Sequence, residues 1–338
     1  MSNQEAYGYA VARIRAMEHR LLDAGAMQRM TDAEDAASVL KILGETSYAA
    51  ALTSQTGDQD FDKALESELH SVYEEVEAFV PDKDLVEVLR YPYDFHNVKV
   101  IMKSIFSARS GGRKRWDLLT SLGSCSVDAL VANVEAEDYR LLPFGLNTLI
   151  PRCIAAWEQS KDVLEVERQL DNRLYEVMLE KAEQLGMPGM IGWMRVRMDG
   201  ENIRTLVRLK RFGFDAARAL PFMHRGGDLD VSVLTPLISE PFESWGRALS
   251  FSDFGALLNG IDAAGGFAEL ILLLEKTLDD FYLDKIAGSR FTSSAPENIP
   301  MYLWAKELEV KNVRMILVSK SSKSDKDQLR RLLRHGYC

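Results

Sequence analysis

Cysteine is scarce in this chain, and its scarcity narrows the class of protein. The sequence has 3 cysteines, Cys125, Cys153 and Cys338, which stand far apart. They form no Cys-x-x-Cys pair and no zinc-ligand spacing. We therefore expect free thiols in a reducing compartment, with neither a disulfide framework nor a structural zinc site.

Long apolar runs are also missing. The longest aliphatic stretches, such as 270–274, fall far short of the ~20 residues that a membrane span needs. The first residues, Met-Ser-Asn-Gln-Glu-Ala-Tyr, lack the basic and apolar regions of a signal peptide. The net charge of −10 disfavours attraction of the whole protein to nucleic acid or anionic lipid. We expect a soluble, cytoplasmic protein with no direct membrane span, which reaches a membrane only through a partner.

Signatures of catalysis are absent from the sequence. The 5 histidines fall into no metal-binding spacing, and the chain has no phosphate-binding loop, dinucleotide fingerprint or nucleophile elbow. We therefore predict no catalytic, cofactor-binding or metal-binding residues, and no cofactor. The basic loop 109–115 has two interpretations: it holds a phosphate or an acidic partner, or it is a solvated loop.

Helical periodicity is what the sequence has in abundance. Apolar residues recur at helical spacing along most of the chain, and no alternating apolar and polar run lies between hairpin turns. The predicted fold class is all-α. We expect residues 85–89 to begin a short helix, and the segment Tyr91-Pro92-Tyr93-Asp94 to cap the helix that follows it. We expect another short helix over 116–122, and a break over 186–192, where glycine and proline cluster.

One hexapeptide pattern occurs three times at similar spacings. It reads Asn, a β-branched residue, a basic residue, any residue and then two apolar residues. The copies begin at Asn97, Asn202 and Asn312, and their basic residues are Lys99, Arg204 and Arg314. On a helix, the residues one, four, five and eight positions after each Asn form one apolar stripe, which in the first copy is Val98, Ile101, Met102 and Ile105. The pattern therefore predicts a recurring helix.

A second landmark precedes each copy. It is a Glu with Leu three residues later and an apolar or aromatic residue seven later, and it occurs at Glu66, Glu167 and Glu275. Two landmarks in the same order, three times, indicate three diverged copies of one helical module. We place the modules at 1–108, 109–214 and 215–338, the last with a C-terminal helix. A weaker fourth copy, at 13–17, lacks the Asn.

The repeated polar residues have an expected structural role. Each Glu lies on the apolar face of its helix, where a half-buried carboxylate requires a cation. We expect each Glu to pair with the basic residue of its own module, and each Asn amide to bond a neighbouring helix. The expected pairs are Glu66 with Lys99, Glu167 with Arg204, and Glu275 with Arg314. A direct ligand-binding role for these residues is the alternative, but packing of the module is favoured.

Three stretches of the chain resemble a known family. They are 7–18 (Tyr-Gly-Tyr-Ala-Val-Ala-Arg-Ile-Arg-Ala-Met-Glu), 93–99 (Tyr-Asp-Phe-His-Asn-Val-Lys) and 309–320 (Glu-Val-Lys-Asn-Val-Arg-Met-Ile-Leu-Val-Ser-Lys). Together with the length and the threefold repeat, they are similar to the C subunit of archaeal and bacterial A/V-type rotary ATPases, called the d subunit in eukaryotic vacuolar enzymes. The middle module departs most, with Met-Asp-Gly-Glu at 198–201 in place of a tyrosine-rich lead-in.

This resemblance implies a fold and a function. It implies an all-helical funnel of three similar modules with pseudo-threefold symmetry. It also implies a non-catalytic rotor subunit of the central stalk, peripheral on the cytoplasmic face of the membrane. Its partners would be the central shaft subunits of the soluble ATPase head and the membrane proteolipid ring, so that ATP turnover is coupled to proton or sodium transport. The residues alone leave two rivals open, a free-standing helical-repeat scaffold for protein–protein interaction and an enzyme with a dispersed active site.

Overall fold

The protein is built from helices. The computed structural model describes residues 3–53, 61–288, 290–292 and 294–336. Across these ranges it contains no β-strand, so the all-α prediction is confirmed. In the same ranges no helix combines the length and the apolar character needed to cross a bilayer.

The described ranges contain α-helices of very different lengths. In chain order they are α1 (Asn3–Glu18), α2 (Ala24–Asp32), α3 (Ala36–Leu43), α4 (Ala49–Thr53), α5 (Phe61–Glu77), α6 (Asp84–Arg109), α7 (Val127–Glu135), α8 (Leu146–Ser160), α9 (Val163–Leu185), α10 (Pro188–Arg211), α11 (Ala216–Ala219), α12 (Val231–Leu234), α13 (Phe242–Ala248), α14 (Asp253–Asn259), α15 (Gly266–Ala287), α16 (Asn298–Ser322) and α17 (Lys326–Leu332). The glutamates of the second landmark lie on α5, α9 and α15, and the three Asn copies lie on α6, α10 and α16.

The chain divides into two compact units. Unit 1 comprises the described parts of Met1–Val86, Leu206–Phe214 and Pro236–Cys338, and unit 2 comprises Glu87–Thr205 and Asp215–Thr235. This division does not test the three modules predicted at 1–108, 109–214 and 215–338, and those boundaries remain predictions.

Helix α16 is the centre of unit 1. It packs against α1, α3, α5 and α15, and more lightly against α2 and α17. Its residues Ile299, Leu303 and Val313 are fully buried. Because neighbours cover α16 on several sides, apolar residues occur around most of its circumference.

Unit 2 has its own apolar core. Helices α8 and α9 pack along each other, with Ile150 and Leu170 fully buried. The ring of Trp157 stacks on Phe106 with centroids 4.3 Å apart. The apolar stripe predicted for the Asn helices is confirmed in both units at the positions one, four and five residues after each Asn, which are buried. The residue eight positions after each Asn is only half-buried, and it is lysine in the second and third copies.

Residues 85–89 are helical as predicted, but their helix is not short. They are the first part of α6, which continues through Pro92 to Arg109, so the segment 91–94 caps no new helix. Proline inside a helix removes one hydrogen bond and costs about 3 kcal/mol. Here the flanking residues Leu89, Tyr91 and Phe95 are all buried. Burial contributes about 1.5–3 kcal/mol for each large side chain, which outweighs the break.

The predicted helix over 116–122 is wrong, because only Trp116–Leu118 form a single 3-10 turn. The rest of the segment is not helical, since its backbone bonds side chains of α6 instead of itself: Arg90 Nε donates to Leu122 O at 2.9 Å. The break over 186–192 is shorter than expected. Gly186, whose φ is 64°, ends α9, and Pro188 already opens α10.

Candidate functional site

Each repeated Asn forms the same pair of hydrogen bonds. Asn97 Nδ2 donates to Thr120 O at 2.9 Å, and Thr120 N donates back to Asn97 Oδ1 at 2.9 Å. Asn202 exchanges the same two bonds with His224, at 2.9 and 2.7 Å. Asn312 exchanges them with Arg334, at 3.0 and 2.9 Å. We call this arrangement the amide clamp. Its partner is the backbone of a residue 22 or 23 positions later, outside any helix, and not a neighbouring helix as expected.

The amide clamp satisfies backbone groups that burial would otherwise leave unpaired. The three Asn side chains are at most 3% exposed. An unpaired buried backbone group costs about 1–3 kcal/mol. The clamp therefore fixes the segment that follows each long helix at one point on that helix.

An acidic residue three positions before each Asn makes a second recurring contact. Asp94 accepts from Cys125 N at 2.9 Å, from Ser124 N at 3.0 Å and from Ser124 Oγ at 2.7 Å. Asp199 accepts from Asp228 N at 2.9 Å and from Leu229 N at 3.2 Å. We call these carboxylates acid anchors. The sequence carried a signal for them, an acid three residues before every Asn, which our prediction did not use.

Glycine is required beside both anchors of unit 2. A Cβ on Gly123 would lie 2.3 Å from Asp94 Oδ1, and a Cβ on Gly227 would lie 2.0 Å from Asp199 Oδ1. A side chain at either position would displace the carboxylate from its hydrogen bonds, so glycine allows this close approach of the backbone. The following segment then begins a helix, with Ser126 capping α7 and Asp230 capping α12.

The third acid anchor, Glu309, belongs to a buried charged cluster in unit 1. Glu309 Oε2 accepts from Leu22 N at 2.5 Å, and Glu309 Oε1 accepts from Tyr48 OH at 2.7 Å. The ammonium of Lys306, only 1% exposed, lies 2.8 Å from Glu309 and 2.9 Å from Glu68. Burial and the Glu309 charge hold the pKa of Tyr48 well above its ordinary value, so its hydroxyl stays a donor.

The observed ion pairs do not join each Glu to the basic residue of its own module, as we expected. Glu167 on α9 pairs with Lys103 of α6 at 2.8 Å, and Lys99 of α6 pairs with Asp171 of α9 at 2.7 Å. Glu275 on α15 pairs with Arg208 of α10. The Asn helix of one repeat thus pairs with the Glu helix of the next one.

The third repeat continues this order back to the first. Arg314 of α16 bonds Asp62 of α5 at 2.7 Å, whereas Glu275 was its expected partner. In the second repeat, Arg204 bonds Glu201 on its own helix. Glu66 is half-buried, as are Glu167 and Glu275. The partners observed for Lys99, Glu167, Arg204, Glu275 and Arg314 therefore differ from the predicted ones, and all except that of Arg204 link consecutive repeats.

The proposed fourth copy does not form a clamp. Arg13, which stands at the Asn position on α1, lies 3.7 Å from Glu75 and over the ring of Phe79 at 4.3 Å. An arginine side chain has no acceptor atom, so it cannot exchange two bonds with a backbone residue.

The basic loop 109–115 is engaged with acids of its own chain. Arg109 pairs with Glu158 at 2.8 Å and with Glu137 at 3.3 Å, and Lys114 pairs with Glu135. Arg115 pairs with Asp117 at 2.7 Å. These contacts favour the solvated loop over an anion site.

The thiols and His224 occupy structural positions. Burial raises the pKa of Cys125 to about 12 and that of Cys153 to about 11, so neither is a thiolate near neutral pH. Both are free thiols, whereas Cys338 lies outside the described residues. His224 stacks on Tyr175, and burial lowers its pKa. Among the described residues, no group of three or more His, Cys, Asp and Glu side chains could hold a metal ion.

Asp199 makes the stability of unit 2 depend on pH. Burial raises its pKa to about 7, and the charge of Asp228 adds to the effect. Because the folded pKa exceeds the unfolded one, the contribution of Asp199 is complete below about pH 4 and is lost as the pH rises toward 7. We expect the free energy of unfolding of unit 2 to fall by up to about 1.4 kcal/mol per pH unit in this window because of this group.

Denaturation of the Asp199→Asn variant across pH 4–8 tests this assignment, since the variant should not show this fall in stability. Asp228→Asn should move the window to lower pH, and an unchanged profile in both variants would contradict the assignment.

The fold and the recurring contacts define the class of protein. It is an all-α protein in which the amide clamp occurs three times. The family model of the ATP synthase (C/AC39) subunit matches residues 10–332, so the chain belongs to that family, the C subunits of the A/V-type ATPases.

The C subunits of ATPases from several organisms are similar along nearly the whole chain. That of the V-type sodium ATPase of Enterococcus hirae is 23% identical over 328 residues, which cover 96% of this chain and 97% of that protein. That of the A-type ATP synthase of Methanocaldococcus jannaschii is 23% identical over 97% of this chain and 86% of its own length. That of the V-type ATP synthase of Deinococcus radiodurans is 24% identical, covering 96% of this chain and 90% of its own length.

Proposed function

We propose that this protein is a non-catalytic rotor subunit of the central stalk. It docks the shaft of the soluble ATPase head onto the membrane proteolipid ring, on the cytoplasmic face. In this role it couples ATP turnover to ion transport, and it needs no cofactor of its own. The match of the family model along residues 10–332 is the observation that carries the proposal.

The recurring contacts support the three-module funnel that this role requires. An element that transmits torque needs joints that hold one geometry. Each amide clamp fixes a segment by two bonds to a buried Asn. The ion pairs run from α6 to α9, from α10 to α15 and from α16 to α5. That order, in which the last repeat pairs with the first, is the one expected of modules closed around an axis.

Co-purification from membranes tests the proposal. The tagged chain, expressed in its native host and extracted in mild detergent, should bring down the proteolipid and the shaft subunits in constant proportion. Membranes that lack the chain should keep ATP hydrolysis by the head and lose ATP-driven ion transport, and adding the purified chain should restore transport. Recovery with soluble proteins alone would favour a free-standing scaffold. Unchanged transport without the chain would contradict a coupling role.

A further inference from the structure

The acid anchor of the third repeat binds the opposite end of the chain. In the first repeat, the clamp residue Thr120 is followed closely by the anchored residue Cys125. In the second, His224 is followed by Leu229 at the same short step. In the third, the clamp residue is Arg334, but the anchored residue is Leu22, 287 positions before Glu309.

The segment after Leu22 has the local structure of its counterparts. The residue that follows each anchored amide is the N-cap of a helix: Ser126 for α7, Asp230 for α12 and Asp23 for α2. Each cap side chain accepts from a backbone N–H of the first turn, which is the usual way to satisfy the free donors of a helix start. By contact, by position after the anchor and by capping, α2 is the counterpart of α7 and α12.

We propose that residues Leu22–Thr53, near the start of the first module, act as a strap that joins the two ends of the chain and is anchored by Glu309 of the third module. In this arrangement α1 is an addition that precedes the strap. It packs on α16, where Arg15 Nη2 donates to Asn298 Oδ1 at 2.8 Å.

No short loop connects the strap to the third repeat, and additional non-covalent contacts hold the two together. A short loop keeps two contacting segments close after their contact opens, whereas distant segments depend on non-covalent contacts alone. Lys320 Nζ donates to Thr31 O at 2.6 Å, and Arg330 lies 2.8 Å from Asp32. Lys306 adds charge to the anchor, whereas the same position is Tyr91 in the first repeat and Val196 in the second.

Hydrogen exchange in a matched pair of variants tests the strap. Glu309→Ala removes the acceptor of Leu22 N, and Asp94→Ala removes the acceptor of Cys125 N. A hydrogen bond to a buried carboxylate is among the stronger ones in proteins, so losing it should speed exchange at least about tenfold. In Glu309→Ala we expect this acceleration in peptides covering 22–32, with smaller changes in α15 of the same unit and in 122–132. In Asp94→Ala we expect it in 122–132 and not in 22–32.

Two outcomes of that experiment would overturn the proposal. One is an equal acceleration of 22–32 and α15 in Glu309→Ala, because that would report general destabilisation of unit 1. The other is unchanged exchange of 22–32.

A charge exchange on the surface provides a second test that keeps the core intact. Arg330 and Asp32 are both about half exposed. Arg330→Glu should speed exchange of 22–32 by up to about fivefold, as expected for an exposed ion pair. The double variant Asp32→Lys, Arg330→Glu should restore the original rate. Failure of the double variant to restore it would show that the contact does not hold the strap.

Discussion

Replacing Lys306 by Met is expected to lower the free energy of unfolding of unit 1 by about 3–5 kcal/mol. The ammonium of Lys306 is the cation between the buried carboxylates of Glu68 and Glu309. Without it, two like charges remain near each other in an apolar interior, where neither is hydrated. Methionine preserves the volume of the side chain, so the loss reports charge and not a cavity. Urea denaturation followed by circular dichroism measures the effect.

The control for this variant is Lys311→Met on the same helix. Lys311 is partly exposed and pairs with Asp279 at 3.2 Å, so its loss should cost about 1 kcal/mol or less. Adding Glu309→Gln to Lys306→Met should recover part of the stability, because it removes one of the two uncompensated charges. Equal losses for the two lysine variants would contradict the role given to the buried cluster.

Replacing Asn202 by Leu is expected to cost about 2–5 kcal/mol, since it leaves two buried backbone groups of His224 without partners. Leucine has a roughly similar size and no polar atom, so the variant removes the two hydrogen bonds without leaving a large cavity. The same denaturation experiment measures the loss, and exchange of the His224 amide should accelerate with it.

An exposed asparagine provides the matched control. Asn147, near the start of α8, is exposed, and Asn147→Leu should change the stability by about 0.5 kcal/mol or less. The equivalent variants Asn97→Leu and Asn312→Leu should each be destabilising, because their clamps have the same geometry. A loss at Asn202 no larger than that at Asn147 would contradict the clamp.

The periodicity of the sequence predicted the helices that have one apolar face. The stripe after Asn97, Asn202 and Asn312 is buried as expected. Periodicity could not predict that α6 continues through Pro92, or the full extent of α16, because both helices are buried around much of their circumference. A helix buried in this way shows no stripe, and the local preference of proline is outweighed by packing.

The residues of the candidate site were found more easily than their partners. Repetition identified the Asn positions, since the pattern is local. The partners Thr120, His224 and Arg334 lie in irregular segments with no repeating signal, and only the folded chain brings them to the Asn. Ion pairs to the next repeat were missed for a similar reason, because nothing in one module shows which module lies beside it.

The contact between Glu309 and Leu22 also determines when unit 1 can be finished during synthesis. Leu22 leaves the ribosome 287 residues before Glu309. At ~5–20 residues per second, α2 and α3 wait about 15–60 s for the helix that covers them. Unit 2 lies wholly within Glu87–Thr235 and is completed earlier. The surfaces of α2 and α3 that pack on α16 are therefore uncovered in the nascent chain for most of its translation, and in this interval they are open to a chaperone.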